Sequence, residues 1–566
     1  MNGKYDAVFG KDALGRKLPD STQCAVTEKE RYVGMFYFLH TTANDKSKLY
    51  NVTEILKKVP GAPWHPEWEV WGGAECHFWG EPLYGYYFNS DEWVVRKHVE
   101  LLTLAGVDFI FFDTTNSSYF DANSKMILRV LEEYAAQGWD VPKIVYYTNT
   151  DSGIRMQEIY DGIYKPGIAK DLWFRLDGKP VIVGVEEEAS AEVRAFFDIK
   201  KSQWPNSPIE EEGWPWMSFT RPQYVHKDDN GDPEVINVSV AQHPQVHMGD
   251  SAMYGEKENW GRAYNHGRND TDTDPDAWMK GGNVAEQWEV AREADPRIVL
   301  FTGWNEWNAG KWDFRGPYQR RPFCMIDCAN DEFSRDIEMM RGGYMDNYYM
   351  QFIGDVRRYK GAPEFPRFKD RLTIDIDGGF DQWDKVEAEY HGFTCENLDR
   401  DHPGFGRARY INTSGRNDFA SCKIANDDKN IYFLVTTRDD ITSFDGIGDW
   451  MKLYIRTQKD SEGYDYILNH TPIDDGLTTL AAAGGEIDGP IIARDIKYKV
   501  SGKNMMLALP RRHIMQSEYL AFQFKWADSK ISYRSFEDFY ENGDCMPIGR
   551  LSYGYSAGDM PWILPY

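Results

Sequence analysis

Short β-rich runs alternate with helical patterns from residue 31 to about residue 360, and this alternation restricts the fold more than any other feature of the chain. The runs with strand-like composition are Tyr32 to His40, Val107 to Thr115, Lys143 to Thr150, Pro180 to Glu186, Trp216 to Thr220, Val235 to Gln242, and Arg297 to Trp307. Such alternation predicts parallel strands with crossover helices. We expect an α/β protein with a (β/α)8 TIM-like barrel, in preference to an open doubly wound sheet. The eighth strand is expected within residues 64–88 or before residue 180.

Three helices can be placed from spacing and punctuation. Residues 91–105 have apolar side chains at helical spacing, with Asp91 able to cap the start and Gly106 at the end. Residues 283–294 predict the helix that precedes the last strand, and Pro296 stops it. A longer pattern over residues 333–359 predicts a closing helix, which Gly342-Gly343 would kink or interrupt.

The chain has 566 residues, which exceeds the size at which one hydrophobic core stops growing. We predict an N-terminal extension over residues 1–30, a catalytic barrel over residues 31–360 and a linker over residues 361–371. Beyond the linker, short alternating strands such as Ile431 to Val435 lie between Gly, Asn and Asp turns. This pattern predicts a smaller antiparallel β-sandwich over residues 372–566.

Charge and composition exclude several classes of partner. The formal net charge is −26, which disfavours nucleic acid because an acidic surface repels phosphates. No apolar run approaches 18 residues, so no membrane span is expected. The seven cysteines lack a paired metal-type spacing, and we predict no metal and no cofactor. The start lacks the apolar region of a signal peptide, so a cytoplasmic location is expected unless a leader was trimmed, in which case the protein is secreted or periplasmic. The oligomeric state stays open.

Acidic residues follow three of the predicted strands. Glu306 lies between two tryptophans in the segment Trp304-Asn305-Glu306-Trp307, Asp113 ends the run that starts at Phe109, and Glu186 follows Val185. The carboxyl ends of barrel strands face the ligand mouth. We therefore predict these acids as catalytic candidates, with Glu306 and Asp113 as the acid and base or nucleophile pair. The alternatives are a buried ion pair for Glu306, a loop cap or a pair with an arginine for Asp113, and a solvated helix start for Glu186.

Aromatic and polar residues around these strand ends are candidates for sugar contacts, because indole and phenol rings combine a flat apolar face with a polar group. The predicted substrate-binding residues are Trp304, Asn305, Trp307, His243, Asp250, Tyr37, Trp79, Tyr87, Arg262 and His266. Core packing is the alternative for each ring. Metal binding by His243 and His247 is disfavoured, because Pro244 breaks any helix that would align them.

Residues 31–360 resemble glycoside hydrolase family 99, the endo-α-mannosidase group, and the related WbsX-type proteins. The matching motifs are Tyr32 to Phe38, Pro82-Leu83-Tyr84-Gly85-Tyr86-Tyr87, Ala105-Gly106-Val107-Asp108-Phe109, and Trp304-Asn305-Glu306-Trp307. The family motif reads Asn-Glu-Trp-x-Glu-Gly, and the resemblance implies two working glutamates and retention through a 1,2-anhydro sugar. Here the second glutamate position is Ala309. The segment from Ile374 to Trp383 is similar to the opening of family 9 carbohydrate-binding modules, which implies that the second domain binds a glycan or braces its neighbour.

Three functions remain in competition. A glycosidase acting on an oligo- or polysaccharide, with its acid relocated from position 309, is favoured by the acids at the strand ends. A non-catalytic glycan-binding protein is motivated by Ala309. A polysaccharide-assembly enzyme rests on the WbsX resemblance, and the sequence has no Gly-rich nucleotide turn to support it.

Overall fold

The computed structural model describes residues 8–558, apart from residues 41–45, 74–75, 116–117, 243–252, 255–259, 313–320, 326–328, 365–366, 370, 447–448, 459–462, 475, 485–488, 515–519, 530–534 and 536. The chain forms two compact units. The barrel unit consists of the described residues of Val26–Gly361 and His402–Tyr410. The antiparallel unit consists of those of Met1–Ala25, Ala362–Asp401 and Ile411–Tyr566. Each unit therefore draws residues from both sides of the predicted linker.

Eight parallel strands form the barrel unit's main sheet in chain order. They are β1 (Tyr32–Phe38), β2 (Phe109–Thr114), β3 (Lys143–Thr148), β4 (Lys179–Gly184), β5 (Asp198–Gln203), β6 (Gly213–Pro215), β7 (Pro233–Ser239) and β8 (Ile298–Thr302). Each pairs in parallel with the next except β6 and β7, and β8 returns to pair with β1. Two antiparallel strands, Arg175–Leu176 and Val225–Lys227, flank β4 and β7.

Side-chain hydrogen bonds cross the junction where β6 and β7 do not pair. The Asn237 amide nitrogen on β7 donates to the Trp216 carbonyl at 3.0 Å, and its oxygen accepts from the Ser218 backbone nitrogen at 3.1 Å. The same amide nitrogen donates to the Leu300 carbonyl on β8 at 2.9 Å. The Gln242 amide also donates to the Ser218 carbonyl at 3.1 Å, so the sheet is a nearly closed barrel whose two edges are joined by side chains.

Within the described residues, the barrel unit has fewer helices than a regular (β/α)8 barrel. The described α-helices of the barrel unit are α1 (Val52–Lys58), α2 (Glu92–Leu104), α3 (Asp121–Ala136), α4 (Ser152–Ile159), α5 (Ala191–Phe196), α6 (Gly282–Ala294) and α7 (Asn347–Lys360). The predicted helices at residues 91–105 and 283–294 match α2 and α6. The predicted helix over residues 333–359 is wrong in its first half, because residues 335–338 bond to Gly303 and Trp304 beside β8 and the helix begins only at Asn347.

Seven strands were predicted, and the additional strand that the structure shows is β5. It lies in neither of the two regions where an eighth strand was expected. Its register with β4 aligns Asp198 with Val181 and Lys200 with Val183, so the positions that share the inward face with those valines are polar. The predicted strand at Trp216 to Thr220 is also displaced, since β6 ends at Pro215.

The antiparallel unit contains one long sheet of twelve strands. In hydrogen-bonded order these are Val8–Phe9, Ser552–Ala557, Leu520–Asp528, Lys452–Arg456, Tyr466–Asp474, Leu477–Ala482, Ile491–Ser501, Asn504–Pro510, Asn430–Thr437, Phe419–Asn426 and Glu389–His391, with Asp544–Met546 beside Leu520–Asp528. A short helix, Asp538–Glu541, precedes this last strand. The antiparallel character is as predicted, but the strands belong to a single curled sheet instead of two stacked sheets.

Smaller sheets complete the described secondary structure. Asn308–Trp312 pairs with Cys76–Phe78 on one side and Cys324–Met325 on the other. Two further pairs join Tyr264–Asn265 to Arg268–Asn269 and Arg400–Pro403 to Arg409–Asn412. Among the described helices, none combines the length and the apolar character needed to cross a bilayer.

Candidate functional site

The inward faces of β1, β2 and β8 define the barrel interior. Phe36 and Phe38 on β1, Phe111 on β2 and Leu300 on β8 belong to one buried core cluster. Side chains alternate along a strand, so Asp113 follows Phe111 on the inward face at the carboxyl end of β2. This end of the barrel, where the parallel strands finish, is called the barrel mouth below.

Asp113 lies in the wall of the barrel mouth. Its side chain is buried, with 4% of the residue's surface exposed. One carboxylate oxygen accepts hydrogen bonds from the Thr115 backbone nitrogen at 3.1 Å and from the Thr115 hydroxyl at 2.7 Å. His40, which follows β1, is near enough for electrostatic coupling: burial lowers the pKa of His40, and the charge of Asp113 partly opposes this. The other carboxylate oxygen has no hydrogen bond to Thr115.

Glu306 follows β8 and forms an ion pair with Arg335. The guanidinium Nη2 lies 2.7 Å from Oε2 of the carboxylate, and the side chains are 14% and 0% exposed for Glu306 and Arg335 respectively. A guanidinium is always protonated, so this geometry pairs it with an ionised carboxylate. Glu306 is therefore the more solvent-accessible partner of a charged pair at the barrel mouth.

Hydrogen bonds and register relate the two acids. Asn305 accepts from the Phe38 backbone nitrogen at 2.8 Å and donates to the Phe38 carbonyl at 3.1 Å, which fixes the end of β8 beside β1. Phe38 is in turn the register partner of Asp113. Two strand spacings of about 4.8 Å each therefore separate the backbones of Glu306 and Asp113, about 10 Å in total. Both acids lie at the same end of the barrel.

One aromatic ring and one methionine pack against the guanidinium of Arg335. It lies 4.8 Å from the ring centre of Trp216, and Nη1 contacts the Met217 sulfur at 3.4 Å. Trp216 stacks on Phe36 at 5.6 Å and meets Trp204 at 5.5 Å. Trp216 is buried, so these contacts form a packed wall that holds Arg335 in place beside Glu306.

Asp336 follows Arg335 and is fully buried. Burial raises the pKa of Asp336 to about 6, although a hydrogen bond from the Glu306 backbone and the charges of Arg335 and Arg262 oppose the rise. Asp336 is therefore protonated at pH values below about 6, and it is enclosed away from solvent.

Behind the strand end, a buried network surrounds Glu338. Its carboxylate accepts from Tyr87 at 2.6 Å and from the Trp307 indole, and its other oxygen lies 2.9 Å from Nε2 of His98. The Tyr37 hydroxyl lies 2.9 Å from Nδ1 of the same histidine. All five side chains are buried. We call this set, Tyr37, Tyr87, His98, Trp307 and Glu338, the back-wall network.

The structure gives packing roles to most of the predicted sugar contacts. Trp304 is enclosed against His98 and Tyr349, Trp307 stacks on Trp79 at 4.2 Å, and the Trp79 indole donates to the Glu306 carbonyl at 2.7 Å. Tyr37 and Tyr87 belong to the back-wall network. The prediction that these rings line the sugar groove is corrected, because their faces are covered by other side chains.

Of the remaining predicted residues, two are buried, two are exposed and two lie outside the described residues. Asn305 is buried in its bonds to Phe38. Arg262 is buried, donates to Ser334 and the Asp336 carbonyl, and lies over three aromatic rings. His266 is exposed beside Glu286 and Glu289, and Glu186 is exposed at the rim with its carbonyl bound by Arg194. His243 and Asp250 lie outside the described residues.

Sequence reasoning missed Arg335 and Glu338. Both lie in the segment Phe333-Ser334-Arg335-Asp336-Ile337-Glu338, which was assigned to a helix. The alternation of polar and apolar residues from 334 to 338 is the available signal, because alternation indicates an extended segment. Trp216 was missed as a mouth residue because its strand was placed several residues too late.

Among the described residues, Glu396, Asp418 and Asp544 in the antiparallel unit could hold a metal ion. Their carboxylate oxygens lie within 4.8 Å of one another. Protein donors already use several of these oxygens, since Arg438 lies 3.0 Å from Asp418 and the Phe419 nitrogen donates to Asp544 at 2.5 Å. These two contacts use Oδ2 of Asp418 and Oδ2 of Asp544, and they do not account for the position of Glu396.

The antiparallel unit also has a cleft of about 670 Å³. Its lining includes aromatic rings and carboxylates, namely Phe444, Trp450, Tyr498, Asp377 and Asp474. Such a mixture suits a polar ligand with an apolar face. Whether this unit binds a glycan or braces its neighbour stays a prediction.

No protein-family model matches the chain. No curated protein matches it. Among solved structures, the GH99 endo-alpha-mannosidase from Bacteroides thetaiotaomicron is 13% identical, with 58% of this chain and 97% of that chain covered and a TM-score of 0.34. A structure described as a glycoside hydrolase-like protein is 12% identical over 59% of this chain and 96% of its own, with a TM-score of 0.30.

A second part of the chain is similar to a family 9 carbohydrate-binding module from Caldicellulosiruptor kristjanssonii in complex with glucose. The identity is 13%, the match covers 35% of this chain and 99% of the module, and the TM-score is 0.20. These structures bear the same two family names as the resemblances seen in the motifs. Their identities and TM-scores are too low to transfer an activity, so the function is inferred from the site itself.

Proposed function

We propose that the chain is a glycosidase that cleaves a bond in a complex glycan at the barrel mouth, with Glu306 and Asp113 as its working carboxyls. The observation that carries the proposal is the position of two strand-end acids at the same end of the barrel, on the strands either side of β1, with Glu306 paired to Arg335. Glycoside cleavage in most families needs two carboxyl groups that flank the bond. The eight parallel strands in chain order support a (β/α)8 description of the unit that holds them.

The two acids take different roles in this proposal. Glu306 is paired with the permanently charged Arg335, which suits a base or nucleophile because either must be ionised. Asp113 then supplies the proton to the leaving oxygen, a task for the free oxygen that Thr115 does not occupy. Ala309 carries a methyl group, which moves no proton, and it lies in the strand Asn308–Trp312 opposite His77. The proton donor therefore comes from a different strand than in the family that the sequence resembles.

The test is release of sugar from mixed bacterial, plant and host polysaccharides, measured as new reducing ends. We expect the wild-type protein to release reducing ends and Glu306→Gln to lower the rate by about 10²–10⁴-fold, the usual contribution of a positioned acid or base. Glu187→Gln is the matched control, because Glu187 is an exposed carboxylate after β4. Absence of product from the wild type over the whole panel, or equal rates for Glu306→Gln and wild type, contradicts the proposal.

A non-catalytic glycan-binding protein is the second candidate, and Ala309 is the observation that favours it. This function predicts that polysaccharide binding survives Glu306→Gln unchanged while no reducing ends accumulate with either protein. The two candidates therefore separate in a single experiment.

A further inference from the structure

Two tryptophans in the segment between β1 and α2 are exposed. Trp64 and Trp68 have 52% and 39% of their surface accessible, whereas no other tryptophan whose burial the structure describes is exposed to this degree. Single exposed apolar residues are ordinary on protein surfaces. Two large indoles four positions apart in one loop form a local aromatic surface, which we call the Trp64 platform, defined by Trp64, His65 and Trp68.

The rings of the Trp64 platform are held in place by their neighbours. Trp68 stacks on His65 at 4.0 Å with an angle of 3° between the planes. Trp64 meets the edge of Tyr254 at 4.8 Å, and the Tyr254 hydroxyl is anchored to the Phe323 carbonyl at 2.7 Å. A ligand that binds these rings therefore loses little side-chain entropy in ordering them, which favours binding.

The Trp64 platform belongs to the same face of the barrel unit as Glu306. Its segment follows the carboxyl end of β1, the end at which β8 delivers Glu306. Lys311 donates to the Pro66 carbonyl at 2.9 Å, which ties the platform loop to the strand Asn308–Trp312. Lys311 is five residues beyond Glu306, so at about 3.3 Å per residue they are at most about 17 Å apart along the chain.

The chemistry of the platform suits a sugar ring. Indole faces pack on the C–H face of a pyranose, and polar groups beside them can bond its hydroxyls. Here Nδ1 of His65 lies 3.2 Å from a carboxylate oxygen of Glu67, so both a donor and an acceptor are beside the rings. The net charge of −26 disfavours a strongly acidic occupant such as a nucleic acid.

We propose that the Trp64 platform is a remote subsite that binds one sugar residue of a long glycan chain, several units from the bond next to Glu306. The inference rests on the proposed function for the cleavage it serves. It gives the substrate class: a polysaccharide or long oligosaccharide that spans the barrel mouth and the platform together.

Binding is measured with the full chain carrying Glu306→Gln, so that the ligand is not consumed. Affinity electrophoresis in soluble mannan, glucan, xylan and pectin identifies the polysaccharide that retards this parent protein. Trp64→Ala and Trp68→Ala should each weaken the retardation by about tenfold, and Trp64→Phe and Trp68→Phe by less than about threefold, because phenylalanine keeps a flat ring. Ile154→Ala is the matched control, since Ile154 is an exposed apolar residue of the same unit. Unchanged thermal melting of each variant verifies folding.

The proposal is overturned if the alanine variants bind the polysaccharide as tightly as the parent, or if none of the polysaccharides retards the parent. A mass by light scattering that falls from dimer to monomer in the alanine variants also overturns it, because the platform is then a contact between copies. Failure of the proposed function has a different result: the wild type releases no reducing ends, while the tryptophan variants still lose retardation.

Discussion

The two sides of the Trp304-Asn305-Glu306-Trp307 segment differ in what their carboxylates contact. On the mouth side, Glu306 is partly exposed and paired with Arg335. On the opposite side, Glu338 is enclosed by the back-wall network, with three side chains directed at its carboxylate. The first carboxylate can meet a substrate, whereas the second can only hold the strand end in position.

The motif therefore serves two purposes: it presents Glu306 at the barrel mouth, and it fixes the chain that follows β8. Glu306 is the member of the motif that remains accessible, while both tryptophans and Asn305 fix its backbone against β1 and the back wall. Positioning of this kind matters for catalysis, because a reacting group must be held within a fraction of an ångström of its productive place.

The largest effect that we expect is a loss of stability in Glu338→Gln, which tests whether Glu338 has a structural role. The amide nitrogen replaces either the oxygen that faces Nε2 of His98 or the oxygen that accepts from Tyr87 and Trp307, so either His98 changes its tautomer or a buried donor loses its acceptor. We expect a loss of about 3 kcal/mol in the free energy of unfolding of the barrel unit. Denaturant unfolding followed by tryptophan fluorescence measures it. Glu187→Gln is the exposed control, and equal stability of the two variants would show that the back wall is not structural.

The next effect concerns the pH dependence of stability, through Asp336→Asn. Burial raises the pKa of Asp336 from 3.8 to about 6, so the folded protein binds this proton more tightly than the unfolded chain does. The contribution of Asp336 to stability therefore falls as pH rises from about 4 to about 6, by at most about 3 kcal/mol, and is level above that window.

The asparagine variant should lose part of this slope, measured as melting temperature between pH 4 and pH 7. Burial also raises the pKa of Asp331 to about 6, so a residual slope is expected. Identical slopes in the wild type and the variant would contradict the assignment, and Glu187→Gln should retain the full slope.

The smallest effect that we expect is on kcat, in Arg335→Lys, and it tests how Arg335 acts on Glu306 at the barrel mouth. Lysine keeps the charge but not the planar fork that bonds Glu306 and lies over Trp216. We expect kcat to fall about tenfold on a polysaccharide that the reducing-end assay shows to be a substrate. KM should change little, because the base is displaced while the groove persists. Arg194→Lys, at the exposed rim, is the control. A change in KM alone would mean that Arg335 binds substrate instead of positioning Glu306.

Six of the barrel strands were predicted near their observed positions because their cores are apolar. β5 has no apolar core that could predict it. Asp198, Lys200 and Ser202 occupy every second position of the strand, so the sequence shows no hydrophobic run there. The segment from Phe333 to Asp346 was assigned to a helix because spacing alone cannot reveal its hydrogen bonds to Gly303 and Trp304.

The candidate site was predictable in part. Strand ends identified Glu306 and Asp113, since a carboxylate after an apolar run at a barrel's carboxyl end is a local pattern. Arg335 and Glu338 depend on a contact across about thirty residues that no local pattern carries. The aromatic rings were misjudged because sequence shows ring identity but not which face is covered.

Side chains close the described barrel at the one junction where neighbouring strands do not pair. Seven junctions have the fixed spacing of paired backbones, whereas the spacing between β6 and β7 depends on the side chains of Asn237, Gln242 and Thr302, which bond Trp216 and Ser218. Exchange of these three side chains therefore offers a way to change the circumference of the barrel without removing a strand.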